Sequence, residues 1–113
     1  MRTKLLLISF ALIGLTACTS APPVSEIPAN IINATTPADH QRIADYFAQK
    51  ASSYDSEARL HDKMAQAYSS RPKGDLPAMI SHCRALREQL SNAAKEAREL
   101  EQAHRELAGS TGK

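Results

Sequence analysis

Four histidines, a methionine and one of two cysteines carry most of the chemistry available to this chain of 113 residues. His40, His61, His82 and His104 stand 21, 21 and 22 positions apart, Met64 follows His61 by three, and Cys83 adjoins His82. Imidazole, thiolate and thioether are donors that suit copper and zinc, which need two to four of them within about 2.0–2.3 Å of one point. A chain folded back on itself would gather His61, Met64, His82 and Cys83 into one candidate transition-metal site and bring His40 to His104 as a second pair. The plainer reading is packing: a free cysteine behaves as a small hydrophobe, and helical spacing predicts contact rather than coordination. Cys83 and His61 also fit a nucleophile pair by type. A two-helix frame supplies neither a substrate cleft nor an oxyanion hole, so no enzyme is expected.

The elements that must position these residues are two long helices. Thr36-Pro37-Ala38-Asp39 reads as a helix start, with a capping hydroxyl, proline at the first helical position and an acid in the first turn. Ser69 to Asp75 forms a breaker group containing Pro72 and Gly74; Asp75 can then cap a second helix that tolerates Pro77 in its first turn and ends at Gly109-Ser110. His40, Phe47, Tyr54, His61 and Tyr68 recur every seven residues, as do Ala44, Ala51, Ala58 and Ala65. On the second helix Leu76, Cys83, Leu90, Ala97 and His104 form one such series, and Met79, Leu86, Ala93, Leu100 and Leu107 another. These are the a and d positions of a coiled coil.

A short turn forces the helices antiparallel, so facing residues should have position numbers with a constant sum. That sum is 144, which sets His61 against Cys83, Tyr54 against Leu90 and His40 against His104. Flanking charges agree in sign, with Asp55 expected near Arg87 and Lys50 near Glu96. The expected fold is therefore an all-α antiparallel coiled-coil hairpin over residues 37–108, with a disordered tail at 109–113. Domains this small have thin cores, so dimerisation into a four-helix bundle is a natural extension, with Ile43, Ala48, Ile80, Ala94 and Ala103 placed to widen the apolar stripe.

Ahead of the hairpin, MRTK carries two positive charges and the following LLLISFALIGL is almost wholly apolar, the pattern of a signal peptide over residues 1–17. Eleven helical residues rise only about 16 Å, roughly half of a bilayer core, so this is not a membrane span. Leu15-Thr16-Ala17-Cys18 resembles the lipobox of bacterial lipoproteins. The resemblance implies cleavage before Cys18 and acylation of that residue, and multiple acyl chains anchor stably where one would not. With Thr19 rather than Asp after the cysteine, it also implies the periplasmic face of the outer membrane of a Gram-negative bacterium. The terminal Lys113 gives a formal likeness to the major murein lipoprotein, but the Pro-Gly break and alanine-rich seam depart from it.

Residues 18–36 then read as a flexible, extended tether able to span at most about 60 Å. Without Arg2 and Lys4 the chain has 12 basic and 12 acidic residues, from totals of 14 and 12, and no basic cluster that would suit nucleic acid. The expected partners are membrane lipid through acylated Cys18 and either a second copy or another periplasmic protein. The expected role is structural or interaction-based, with periplasmic copper or zinc binding as the alternative.

Overall fold

A computed structural model describes residues 23–74 and 76–110. Cys18, the signal segment, Asp75 and the tail from residue 111 lie outside the described residues. In chain order the elements are a 3-10 turn at Val24–Glu26, α1 at Ile27–Ile32, α2 at Pro37–Ser69 and α3 at Pro77–Ser110. The two long helices pack against each other as an all-α hairpin.

Helix α2 begins where its capping chemistry dictates. The Thr36 side chain accepts from the Asp39 backbone N–H, and the Asp39 carboxylate accepts from the Thr36 N–H, a reciprocal capping box with Pro37 at the first helical position. Asp39 also accepts from the Thr36 hydroxyl and the Thr35 N–H. These bonds, the Thr36 hydroxyl foremost, hold its pKa down at about 2. At the far end the Ser70 N–H donates to the Gln66 carbonyl at 3.1 Å, and the turn closes through Gly74, whose φ of +89° lies where only glycine is comfortable.

Three expectations about the elements change. Residues 24–32 are helical rather than extended, with Pro28 in the first turn of α1 and Ile27 buried. This isoleucine gains a core position because α1 packs against α2 near the open end of the hairpin. Helix α3 also continues through Gly109 and Ser110 instead of stopping before them; the Ser110 hydroxyl donates to the Leu107 carbonyl and satisfies an acceptor of the last turn.

The third change concerns which face of α3 meets α2. Ala44, Ala51, Ala58 and Ala65 are all buried, as their spacing requires, and so are Cys83 and Ala97. The second buried series on α3 is not the leucine row, however. Ile80 and Ala94 are buried, whereas Met79, Leu86 and Leu100 remain 47%, 41% and 46% exposed. Rotating α3 by one position puts small side chains opposite the alanines, and interhelical distance is set by the side chains at the contact. An alanine seam draws the backbones together, where a leucine seam would hold them apart. The same rotation removes Ile80 and Ala94 from any outer stripe, and Ile43, on the other flank of α2, is buried as well.

Candidate functional site

The hairpin register brings His40 and His104 together at its open end. Their Nδ1 atoms lie 3.1 Å apart, so one ring donates its N–H to the bare nitrogen of the other. The ring centroids are 5.4 Å apart, and Phe47 stacks on His104 with a 16° interplanar angle. Burial, then the proximity of His40, depresses the His104 pKa below its ordinary value of 6.5. The neutral form of the His104 ring is thereby favoured.

Below pH 6.5 the unfolded chain binds a proton at His104 that the folded chain resists, so this contribution is complete above that value and falls as the pH drops through it toward the folded pKa. Thermal unfolding between pH 8 and pH 5 should show the loss. His104→Phe keeps the aromatic packing on Phe47 and should flatten the pH dependence in that window; an unchanged slope would mean that the loss arises elsewhere.

Near the turn, the expected cluster assembles only in part. Cys83 is a free, buried thiol in a core group with Ala65 and Ile80, against which Met64 and Tyr68 pack. His61 is half-buried, and its Nδ1 is enclosed without a hydrogen-bond partner. His82, beside Cys83 in sequence, is exposed, because successive residues of a helix face directions about a quarter turn apart. Among the described residues no group of three or more His, Cys, Asp or Glu side chains is placed to hold a metal ion.

What sequence reasoning missed is that the hairpin has two unlike sides. On one, Arg98 pairs with Asp55, and Arg87 reaches Asp62 at 3.4 Å. The expected Asp55–Arg87 pairing is replaced by these two, although both residues line one shallow cavity of about 260 Å³. Arg105 adds a third bridge to Asp45 at 3.4 Å and also pairs with Glu101 one turn away. These bridges are exposed and contribute little individually, about 0–1 kcal/mol each, but they occupy this side of the seam with hydrated charge.

The other side is apolar and aromatic. His40, Phe47, Tyr54, His61 and Tyr68 are all half-buried. Beside them run Met79, Leu86, Ala93 and Leu100 at seven-residue intervals on α3. Tyr46, Phe47, Tyr54, Ala93 and Leu100 line a cavity of about 280 Å³ together with Lys50 and Glu96. In place of an expected ion pair with Glu96, the Lys50 ammonium lies over the Tyr54 ring, 5.0 Å from its centroid. The signal for this surface in the sequence is the leucine row, whose seven-residue spacing equally suits a core.

No family model, curated protein or solved structure matches the chain. Among the described residues no helix is long and apolar enough to cross a membrane.

Proposed function

We propose that this chain is a lipid-anchored periplasmic protein of the outer membrane whose helical hairpin serves to bind another protein surface. The observation that carries the interaction reading is the row of large apolar side chains along one side of the hairpin, each about 40–47% exposed, opposite a side closed by three Arg–Asp bridges. Monomeric proteins rarely leave continuous apolar patches beyond a few hundred Å², and larger ones mark contact sites. The address rests on the lipobox-like Leu15-Thr16-Ala17-Cys18 and the preceding charged and apolar segments. The burial of Cys83 is compatible with that address, since an exposed unpaired thiol would form intermolecular disulfides in an oxidising compartment.

Mass spectrometry of the N-terminus of the native chain tests the anchor, with an acylated Cys18 as the expected first residue and an unmodified cysteine as the contrary result. Crosslinking in intact membranes tests the interaction. A discrete adduct of the hairpin is expected, and a chain that remains uncrosslinked throughout would remove the reading.

The copper or zinc alternative keeps one supporting observation, the 3.1 Å apposition of His40 and His104. That spacing suits two adjacent ligands on an ion with bonds of about 2.0–2.1 Å. Stoichiometric copper or zinc that survives desalting, and is lost in His104→Ala, would support it.

A further inference from the structure

We propose that the partner of the apolar side is a second copy of this chain, joined in a two-fold dimer whose two turns lie at the same end. The inference rests on reading that side as an interaction surface, and it names the occupant.

The side is large enough for a second copy. Helices of 33 and 34 residues make a hairpin side about 50 Å long and about 20 Å wide, on the order of 1,000 Å², of which α1 covers a part at the open end. A standard interface needs about 800 Å² from each partner. The hairpin's own seam is thin: Ile43 is its one large side chain that is fully buried among the described residues. A layer of apolar contacts on this side would complete a four-helix bundle.

The side is also complementary to itself. With facing positions summing to 144, Met79, Leu86, Ala93 and Leu100 fall level with positions 65, 58, 51 and 44 of α2. The aromatic row stands at 68, 61, 54, 47 and 40, so each α3 side chain falls midway between two aromatic ones. A two-fold axis along the hairpin lays α3 of one copy over α2 of the other without changing these levels. Leu86 then enters the gap between Tyr54 and His61 of the second copy, and Leu100 the gap between His40 and Phe47, the knobs-into-holes arrangement of bundles. Every neighbouring pair of helices in that bundle is antiparallel.

Its charges match under the same symmetry. Lys50 and Glu96 line the same part of this side, with Glu96 level with position 48 of α2. The two-fold axis places Lys50 over the second copy's Glu96 and repeats the pair by symmetry. It also puts both N-terminal segments at one end, as two anchors in one membrane require. A lipid surface fits less well, because the chain from Cys18 onward has equal numbers of acidic and basic residues and so no net attraction to anionic headgroups.

The test uses full-length chains carrying two different tags and single charge reversals. Lys50→Glu should weaken co-purification of differently tagged copies about tenfold, and so should Glu96→Lys, because each homodimer then holds two like-charge contacts. Co-expressing Lys50→Glu with Glu96→Lys should restore it, since each copy then supplies the charge that the other lacks. If only the double reversal within one chain rescues, the pair is intramolecular and the proposal fails. Orientation is read by bismaleimide crosslinking of Ser70→Cys in a Cys83→Ser background, which joins adjacent turns and cannot span a dimer with turns at opposite ends. A monomer bound to vesicles, or a crosslink solely to a different protein, would overturn the dimer; the latter would leave the interaction reading standing.

Discussion

Replacing Ile43 with alanine is expected to lower the melting temperature by roughly 12–24 °C. Its side chain is fully buried, with 0% exposure, beside the region where α1 packs on α2. Deleting three buried carbons from such a site costs about 3 kcal/mol, combining lost transfer energy with the cavity left behind. In a domain of this size each kcal/mol moves the midpoint by about 4–8 °C. The total stability of a small domain is only about 5–10 kcal/mol, so the variant sits close to the threshold for folding at all. Circular dichroism on heating measures the shift. A change of a degree or two would mean that this part of the core is not packed as described.

Ala94→Leu should be nearly as damaging, by the opposite mechanism. Ala94 is also at 0% exposure, and its small side chain is what lets α3 approach the alanine row of α2. Three added carbons force the helices apart or push the new side chain off its rotamer, at a cost of about 1–3 kcal/mol. The control is Ala103→Leu on an exposed face of the same helix, expected to stay within about 0.5 kcal/mol of the parent. If the two substitutions behaved alike, the alanine seam would be the wrong interface. If Leu86→Ala cost more than Ala94→Leu in an isolated monomer, the leucine row would be the true core.

That contrast marks where sequence reasoning succeeded and where it stopped. The hairpin, the capping box at Thr36, the alanine row of α2 and the meeting of His40 with His104 were all legible, because each follows from a period, a cap or a constant sum of positions. The second face of α3 was not. Met79, Leu86 and Leu100 lie on one side of the Cys83 series and Ile80 and Ala94 on the other, and hydropathy favours the leucines. Packing reverses the choice: alanine opposite alanine gains close backbone approach, which a count of apolar side chains cannot see. Helix α1 was hidden for a related reason. Its six residues are too few to show a period, and a helix of that length depends on docking through Ile27 rather than on its own propensity.

The candidate site follows the same division. The register sets His61 opposite Cys83 and Met64 opposite His82; in the structure Met64 packs on the core group that holds Cys83, and His82 stays exposed. The two-sided character depended on the rotation of α3, since that rotation decides whether Asp55 meets Arg87 or Arg98. Once α3 is turned, Leu100 lies beside Phe47 and Tyr54, and Arg87 and Arg98 lie beside the aspartates of α2. The interaction surface and the ionic side are therefore two consequences of one packing choice.

The most direct measurement of that choice is a set of methyl and aromatic nuclear Overhauser contacts between the two long helices. Cross-peaks from Ala65 to Ile80 and between the His40 and His104 rings are expected, because these groups pack together at opposite ends of the seam. Strong contacts from Ala65 to Met79 in place of Ile80 would put the leucine row back in the core. The absence of any contact between the helices would replace the hairpin with a single rod.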